Sequence, residues 1–416
     1  NPSGSLIRVP DTRYAMAHMA AAYFGHPARR MKLIGVTGTK GKTTTCYLIK
    51  SILENAGYKV GLIGTIETVI GDEHIPAKNT TPESFTLQEY FKRMADEGLN
   101  VVVMEASSQG FMMHRTAGIE FDIGIFTNIE PDHIGPNEHS SFEDYLECKS
   151  RLFKQCRIGI LNADDAHLEA VLKGHSCKVE TLGLSDKADI RAEDIKLVND
   201  NGSLGVSFRT KGLIEIDARI NMPGRFSLYN ALTAIAVCRH FDIKADDIRK
   251  ALLSARVKGR IEMVGISDEF TLMIDYAHNA MALKSLLTTL REYEPGRLVC
   301  LFGCGGNRAK SRRYEMGEVS GRLADLTIIT SDNPRFEKPL DIIENIVSGI
   351  SRTKGEYIKI PDRKEAIRYA IQNARKGDVI VLAGKGHEDY QEIEGVKHPM
   401  DERVLIEEIL KERPLQ

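Results

Sequence analysis

A glycine-rich stretch near the amino terminus constrains the fold of this chain more than any other feature. An apolar run, Leu33–Val36, predicts a buried strand, and Thr43 begins a pattern typical of a helix. Between them, Gly38 and Gly41 allow the backbone to turn its N–H groups inward, while Lys42 adds a full positive charge. A strand, a tight turn and a helix in this order predict an α/β domain whose loop binds polyphosphate.

This loop is a variant of the strict phosphate-loop pattern G-x-x-x-x-G-K-[ST], since Val36 stands where the first glycine would be. The remaining residues still supply backbone donors, a lysine for phosphate oxygens and a hydroxyl for Mg²⁺. The predicted nucleotide-binding residues of the loop are Gly38, Thr39, Lys40, Gly41, Lys42, Thr43 and Thr44.

Composition and charge narrow the class of protein. The chain has 416 residues, enough for two or three domains, and its 56 Lys and Arg residues against 58 Asp and Glu residues give no basic field that would favour nucleic acid. No apolar stretch approaches the roughly 18 residues that span a bilayer, and the seven scattered cysteines do not form a disulfide framework. We therefore expect a cytoplasmic protein with no membrane segment and no nucleic-acid partner.

Strands and helices alternate along most of the chain in two series. Continuous apolar strands such as Val101–Met104 predict a mostly parallel sheet covered by helices on both faces. Residues 178–220 differ, because their short alternating segments predict an antiparallel patch. The predicted fold class is α/β, with a central P-loop-type domain and a C-terminal Rossmann-like α/β domain. The predicted boundaries are a lead-in helix within residues 1–30, a central domain of residues 31–257 and a C-terminal domain of residues 258–416.

Polar residues follow several apolar strands at their carboxyl ends, where ligands collect in α/β sheets. In the first series Glu105 ends one strand, and Asn128 and His133 follow the strand Ile123–Phe126. A carboxylate in such a place suits a metal on bound phosphates, whereas His133 suits either a metal or an ordinary loop. The second series carries polar loops after four strands, and each loop alone would also fit a turn. These loops are residues 275–278, 302–308, 331–335 and 384–388.

Taken together, these motifs resemble those of the Mur ligase family in identity and in order, over roughly residues 11 to 412. The matching segments are Gly38–Thr44, Thr80–Pro82, Glu105–Ser108, Thr127–Asn128, Asp132–His133, Asn162–Asp165, Pro223–Phe226, Asn230, Gly259–Arg260, Asp275–His278, Gly303–Gly306 and Gly384–Glu388. Departures from the usual pattern are Lys40, Gln109, Lys258, Ile261 and Asn307.

The resemblance implies an ATP-dependent amide-forming enzyme of peptidoglycan synthesis that adds the third amino acid of the stem peptide. ATP would phosphorylate the D-glutamate carboxylate of UDP-N-acetylmuramoyl-L-alanyl-D-glutamate, and an amine would attack the acyl phosphate. The stretch Asp332–Arg335 resembles the signature of enzymes that select meso-diaminopimelate over L-lysine. The guanidinium of Arg335 suits the distal carboxylate of meso-diaminopimelate, and Glu388 suits its ammonium group.

The resemblance also assigns roles to individual residues. Lys42 would neutralise phosphate charge, and Lys149 matches a lysine that the family carries as a carbamate formed with CO₂. Two Mg²⁺ sites are implied, with Thr43, Glu105, His133 and Lys149 as ligands, and Lys42, Glu105, His133 and Lys149 as catalytic residues. The nucleotide would further contact Asn128, Asn230, Arg260, Asp275 and His278. The muramoyl dipeptide would contact Thr80, Thr81, Ser107 and Arg115. The amino acid would contact Arg308, Asp332, Asn333, Arg335, Gly384 and Glu388.

Three alternatives keep part of this interpretation. A Mur-like ligase could take another amino acid, such as L-lysine, or an acceptor without uridine. Folylpolyglutamate synthase shares the phosphate loop, although the Asp332–Arg335 stretch disfavours folate. A non-catalytic nucleotide-binding relative is the third. We also expect a monomer that lacks the full N-terminal uridine-binding domain, because only about 30 residues precede the phosphate loop.

Overall fold

The computed structural model describes residues 7–135, 138–200 and 202–412. Contacts divide the chain into two compact units. The first unit comprises Asn1–Ile195, Phe208–Arg219 and Phe226–Ala255, and the second comprises Lys196–Ser207, Ile220–Arg225 and Arg256–Gln416. The domain bounds at residues 30 and 257 stay a prediction.

Helices and strands alternate through both units. The helices are α1 (Thr12–Tyr23), α2 (Lys42–Asn55), α3 (Ser84–Asp96), α4 (Ser108–Met112), α5 (Phe142–Ser150), α6 (Leu168–Val171), α7 (Arg225–Cys238), α8 (Ala245–Ser254), α9 (Ala280–Arg291), α10 (Lys310–Leu323), α11 (Pro339–Ile350), α12 (Arg363–Gln372) and α13 (Glu402–Glu412). The strands are β1 (Lys32–Thr37), β2 (Val60–Ile63), β3 (Glu67–Ile70), β4 (Glu73–Pro76), β5 (Val101–Glu105), β6 (Phe121–Phe126), β7 (Cys156–Asn162), β8 (Lys178–Gly183), β9 (Ile190–Asp200), β10 (Ser203–Gly212), β11 (Ile216–Ile220), β12 (Glu262–Met263), β13 (Thr271–Asp275), β14 (Leu298–Phe302), β15 (Leu326–Ile329), β16 (Glu356–Lys359), β17 (Val379–Ala383), β18 (Tyr390–Ile393) and β19 (Val396–Pro399).

The larger sheet has the strand order β11-β10-β9-β8-β7-β6-β1-β5-β2-β3-β4. Strand β1 lies in the interior of this sheet and pairs in parallel with β5 and β6, as its uninterrupted apolar run predicts. The hairpin β3–β4 adds antiparallel strands beside β2. The carboxyl ends of β1, β5 and β6 therefore meet at one edge, which places the phosphate loop beside Glu105 and Asn128.

The smaller sheet belongs to the second unit and has the order β12-β13-β17-β14-β15-β16. Strands β13 to β17 pair in parallel, and successive residues of β14 alternate between two cores. Cys300 and Phe302 pack with α9, α10 and α11, whereas Val299 and Leu301 pack with α12 and α13. This alternation is the two-residue period of a strand covered on both faces. The predicted α/β class, with a mostly parallel sheet and a C-terminal α/β domain, is confirmed.

The antiparallel patch predicted for residues 178–220 is partly wrong. Strand β8 pairs in parallel with both β7 and β9. The alternating sequence reflects alternating burial of the side chains, as in β11, and it carries no information on strand direction. The lead-in helix predicted near residues 11–24 is α1, whose first turn is capped by Asp11. Among the described residues, no helix is long and apolar enough to cross a bilayer.

Candidate active site

Two glycines shape the phosphate loop of the first unit. Gly38 has φ of 145°, and a Cβ atom there would lie 2.0 Å from Thr127 Oγ1. Gly41 has φ of 84° at the start of α2, and its Cβ would lie 2.5 Å from Asn230 Oδ1. Both positions therefore require glycine. The side chain of Asn230 also accepts a hydrogen bond from Thr45 Oγ1, so Asn230 lies against the phosphate loop.

Two lysine side chains converge on one carbonyl oxygen of this loop. Lys42 Nζ and Lys149 Nζ donate to Gly38 O at 2.9 and 2.8 Å, and Lys42 also donates to Thr39 O. Lys149 is 2% exposed. Burial and the neighbouring charge of Lys42 hold the pKa of Lys149 well below its usual range. Lys149 is therefore a buried amine whose surroundings disfavour the charged form.

Glu105 forms the polar centre of the carboxyl-end edge. It is 1% exposed, and its Oε1 accepts hydrogen bonds from Thr43 Oγ1 at 2.9 Å and Thr65 N at 2.8 Å. Its Oε2 accepts from Thr65 Oγ1 at 3.1 Å. All three donors are neutral, so the buried carboxylate favours a cation at this place. The carboxylate and the Thr43 hydroxyl are oxygen ligands of the kind that Mg²⁺ prefers, and the residues fit that ion.

His133 lies in the loop after β6, with φ of 54° and its side chain half exposed. Its Nδ1 lies 3.3 Å from Glu138 Oε1, and its ring centroid lies 6.1 Å from that of Tyr145. The Tyr145 ring in turn lies 4.4 Å from Lys149 Nζ. The structure thus places His133 one aromatic ring away from Lys149.

The other phosphate-loop residues contact the strand-end segment after β6. Thr39 N donates to Asn128 O, and Thr39 Oγ1 lies 3.0 Å from Tyr145 Oη. Asn128 Oδ1 accepts from Lys40 N, and Asn128 Nδ2 donates to Lys40 O, both at 3.0 Å. The side chain of Lys40 forms an ion pair with Glu130 at 2.7 Å. Lys40 and Asn128 therefore fix the loop, while the Thr44 side chain is buried in α2.

The residues predicted to contact the muramoyl dipeptide gather beside Glu105. Thr81 Oγ1 donates to Glu105 O at 2.9 Å and to Ser107 Oγ at 3.1 Å. Arg115 Nη1 donates to Thr81 O at 3.0 Å, and Thr80 Oγ1 lies 3.0 Å from Thr65 Oγ1. These hydroxyl groups line a polar strip that leads from the Glu105 carboxylate toward Arg115, whose charge is already paired with Glu83.

In the second unit, the remaining residues that are predicted to contact the nucleotide lie around Tyr276. Arg260 lies 4.7 Å from the Tyr276 ring, and the His278 ring lies 4.6 Å from it. Asp275 ends β13, and its two oxygens accept from Ile261 N and Ala277 N, each at 2.8 Å. Burial raises the pKa of the Asp275 carboxyl, and the nearby Arg260 opposes this shift. Arg260, Asp275 and His278 therefore form one cluster of charged and aromatic groups.

Asn333 is the centre of the group predicted to bind the amino acid. Its Nδ2 donates to Glu388 Oε2 at 2.9 Å, and its Oδ1 accepts from Lys385 Nζ at 3.0 Å and Glu392 N at 2.9 Å. Lys385 Nζ also donates to Glu388 Oε2 at 2.8 Å. Although burial opposes it, this Lys385 contact and the Asn333 bond lower the pKa of Glu388, so the carboxylate stays ionised. Asn333 is itself occupied by protein groups.

The rest of this group lies on neighbouring strand ends. A Cβ atom on Gly384 would lie 3.0 Å from Asp332 Oδ2, so Gly384 allows that carboxylate to lie close to the backbone. Asp332 Oδ1 also lies 4.0 Å from Lys385 Nζ. Arg335 forms an ion pair with Glu392 at 3.0 Å. Arg308 is exposed on the loop after β14.

Comparison with known proteins decides the family. Residues 36–238 match the Mur ligase middle domain, and residues 259–386 match the Mur ligase glutamate ligase domain. A UDP-N-acetylmuramoyl-L-alanyl-D-glutamate--2,6-diaminopimelate ligase from Caldanaerobacter subterraneus subsp. tengcongensis is 45% identical over 99% of this chain and 84% of its own length. The chain belongs to the Mur ligase family. The predicted resemblance is confirmed.

Two further relatives agree with this assignment. UDP-N-acetylmuramoyl-L-alanyl-D-glutamate--2,6-diaminopimelate ligase 1 of Clostridium acetobutylicum is 43% identical over 99% of this chain and 84% of its own length. The solved structure of a UDP-N-acetylmuramoyl-L-alanyl-D-glutamate--2,6-diaminopimelate ligase is 29% identical, with a TM-score of 0.73, and the match covers 99% of this chain and 85% of that one.

The structure of this Mur ligase adds functional candidates that the motifs did not identify. Thr65 donates twice to Glu105, Tyr145 covers Lys149, and Lys385 joins Glu388 to Asn333. Thr65 follows a buried strand and could have been found by the strand-end rule. Tyr145 precedes Lys149 by one helical turn, which is the spacing of side chains that contact each other on a helix. Lys385 lies inside a matched motif, but its complete burial gave no signal in the sequence.

Proposed function

We propose that this Mur ligase is an ATP-dependent ligase that adds meso-diaminopimelate to the D-glutamate of UDP-N-acetylmuramoyl-L-alanyl-D-glutamate, releasing ADP and phosphate. The observation that carries the proposal is the pair of fixed charges in the second unit. Arg335 offers a cation for the distal carboxylate, and the ionised Glu388 offers an anion for the ammonium group of the same amino-acid head. The names of the two relatives and of the solved structure support the same substrate.

The residues of the first unit suit the formation of an acyl phosphate. The acceptor carboxylate and the triphosphate repel each other, so the reaction needs cations that hold both anions together. Lys42 and the backbone donors of the phosphate loop would neutralise the phosphates, and the Thr81, Ser107 and Arg115 strip would hold the dipeptide. The amine of the incoming amino acid would then attack the acyl carbon, and phosphate would leave.

Two Mg²⁺ ions complete the proposed site, with Thr43 and Glu105 at one ion and His133 and Lys149 at the other. Bound Mg²⁺ would neutralise charge between the phosphate groups and the acceptor carboxylate. The Glu105 carboxylate fits this role because it is buried and all of its described hydrogen bonds come from neutral donors. The present contacts of His133 are with Glu138 and Tyr145, and its imidazole would have to exchange them for the ion.

Lys149 would serve as a carbamate. An ammonium group would repel Mg²⁺, whereas addition of CO₂ to the neutral amine makes an anionic oxygen ligand. The lowered pKa of Lys149 supports this proposal, because only the unprotonated amine reacts with CO₂. The Tyr145 ring and the Gly38 carbonyl would hold the side chain in place.

The proposal includes the cellular setting of the enzyme. Nucleotide-linked precursors and ATP are cytoplasmic substrates, and we therefore propose that the enzyme acts in the cytoplasm, as a monomer. Residues 31–257 would bind ATP and the dipeptide, and residues 258–416 would bind the amino acid and part of the nucleotide.

The test measures phosphate release with ATP, Mg²⁺ and UDP-N-acetylmuramoyl-L-alanyl-D-glutamate, in parallel reactions with meso-diaminopimelate, L-lysine or no amino acid. We expect phosphate release only in the reaction that contains meso-diaminopimelate. That reaction should also yield a product whose mass includes the added amino acid. L-lysine lacks the distal carboxylate and would not supply the substrate anion that Arg335 is proposed to bind. Equal release with L-lysine, or release that ignores the amino acid, would reject the proposed substrate.

A further inference from the structure

The backbone of Arg335 is held by the hairpin that β18 and β19 form. Arg335 N donates to Glu392 O at 3.0 Å, and Glu394 N donates to Arg335 O at 2.8 Å. Arg335 has φ of 52°, a left-handed conformation that is uncommon for residues other than glycine. These two hydrogen bonds help to hold Arg335 in that conformation beside β18.

The guanidinium group of Arg335 is held by the same hairpin. Its Nε donates to Glu392 Oε2 at 3.0 Å, and its Nη1 donates to Gly306 O at 2.8 Å. The space beside Nη1 is so narrow that a Cβ atom on Gly305 would lie 3.0 Å from it. These contacts use Nε and Nη1 of the guanidinium group. Within the part of the chain that the structure describes, they leave Nη2 for an incoming carboxylate.

We propose that Glu392 is a positioning residue, which orients Arg335 for the distal carboxylate of the amino-acid substrate. The inference rests on the proposed function, which assigns that carboxylate to Arg335. A bidentate pair needs the plane of the guanidinium to be fixed before the substrate arrives, because a long free side chain loses conformational entropy on binding. Glu392 fixes the plane through its hydrogen bond with Nε, and no hydrogen bond of Nη2 is seen within the described residues.

Asn333 connects the pair of Arg335 and Glu392 to Glu388, at the other end of the proposed amino-acid site. Its Oδ1 accepts from Glu392 N, and the same side chain bonds Lys385 and Glu388. One amide side chain therefore sets the position of both the hairpin that holds Arg335 and the carboxylate that would meet the ammonium group. The distance between the two recognition groups is fixed by protein contacts, as a site selective for one amino-acid head requires.

The test replaces Glu392 and measures the steady-state constants for each substrate. We expect Glu392→Ala to raise KM for meso-diaminopimelate about tenfold, with kcat and KM for ATP unchanged, because one charge-assisted hydrogen bond is lost. Glu392→Gln should show a smaller increase, since its amide oxygen still accepts from Arg335 Nε. The matched control is Glu318→Gln, which removes the charge that pairs with Arg322 Nε on the surface of α10 and should change no constant.

The double variant Arg335→Ala with Glu392→Ala isolates the proposed coupling. Glu392→Ala should raise KM for meso-diaminopimelate in the parent enzyme but not in the Arg335→Ala background. An equal increase in both backgrounds, or a parallel increase in KM for ATP, would overturn the positioning role. If Arg335→Ala alone leaves KM for meso-diaminopimelate unchanged, the proposed function fails instead. If Arg335→Ala raises that KM and Glu392→Ala does not, only this inference fails. Thermal unfolding of Glu392→Gln checks that the fold is intact.

Discussion

Two buried lysines, one in each unit, differ in what their amino groups contact. Lys149 is 2% exposed and donates to the neutral carbonyl oxygen of Gly38, which Lys42 also contacts. Lys385 is fully buried and donates to the carboxylate of Glu388 and the side chain of Asn333. The first environment disfavours an ammonium charge, whereas the second compensates it. The function of a buried lysine therefore depends on the groups that its amino group contacts, and not on burial alone.

This difference predicts two kinds of function. A neutral amine beside a phosphate loop is a nucleophile toward CO₂, and Lys149 suits a carbamate that takes part in catalysis. An ammonium group bound to a carboxylate is a fixed charge, and Lys385 suits the task of keeping Glu388 ionised for the substrate. Variants of Lys149 should therefore change kcat, and variants of Lys385 should change KM for the amino acid.

The largest effect is expected for Lys149→Met. Loss of the proposed carbamate should lower kcat about a thousandfold, a typical consequence of removing one electrostatic group from a catalytic site. Added acetate should restore part of the activity, because a small carboxylate can take the place of the carbamate oxygens. The measurement is the rate of ADP formation at saturating substrates with and without acetate. If the variant retains most of its kcat, Lys149 is not a catalytic residue.

A smaller effect, confined to the amino acid, is expected for Lys385→Met. Removing one partner of a buried ion pair leaves the other charge uncompensated, and KM for meso-diaminopimelate should rise about a hundredfold. Lys385 opposes the effect of burial on the pKa of Glu388 in the parent enzyme, so the loss of Lys385 should raise that pKa in the variant.

The sign of the pH dependence follows from this shift. In Lys385→Met, Glu388 should gain a proton at a higher pH than in the parent enzyme, and KM for meso-diaminopimelate should rise as the pH falls through that interval. In the parent enzyme Glu388 stays ionised over this interval, and the same contribution should be absent. KM measured at several pH values for both proteins checks this. A hundredfold loss of kcat with KM unchanged would make Lys385 resemble Lys149 and would remove the contrast between them.

The smallest effect is expected at a third buried cation, Arg313, which pairs with Glu337 at 2.7 Å. Arg313 holds the pKa of Glu337 at about 2. Because this value lies below the unfolded value, the stabilisation is present above about pH 4.5 and is lost as the pH falls toward about 2. Glu337→Gln should lower the free energy of unfolding by about 1 to 3 kcal/mol near neutral pH, measured by urea denaturation. A loss that persisted unchanged at the lowest pH would show that charge is not its cause.

The sequence predicted most of the fold because its apolar runs are long and uninterrupted. Strands such as β1, β5 and β14 are buried along their length, and the glycines and polar residues after them mark where each strand ends. The hairpin β18–β19 was not predicted, since its two strands are only four residues long, are half-buried or exposed, and show no clear period. That hairpin supplies Glu392.

Contacts between distant residues limited the prediction of the site. Asn333 bonds Glu388 and Glu392, which lie 55 and 59 positions away in the chain. Thr43 and Glu105 are 62 positions apart. The rule that parallel strands end at one edge predicted that Thr43 and Glu105 are close, because β1 and β5 are neighbours. No such rule joins Asn333 to a surface hairpin. The assignment of Asn333 to the substrate rests on the family resemblance and stays a prediction, and in the structure its side chain bonds Glu388, Lys385 and Glu392.

Carbon-13 NMR of the enzyme in ¹³C-labelled bicarbonate tests the contrast between the two lysines most directly. The account predicts a carbamate resonance in the parent enzyme and in Lys385→Met, and its loss in Lys149→Met. The resonance should weaken as the pH falls, because protonation of the amine releases CO₂. A carbamate signal that persists in Lys149→Met, or its absence from the parent enzyme under saturating bicarbonate, would contradict the assignment of Lys149 as the reactive amine.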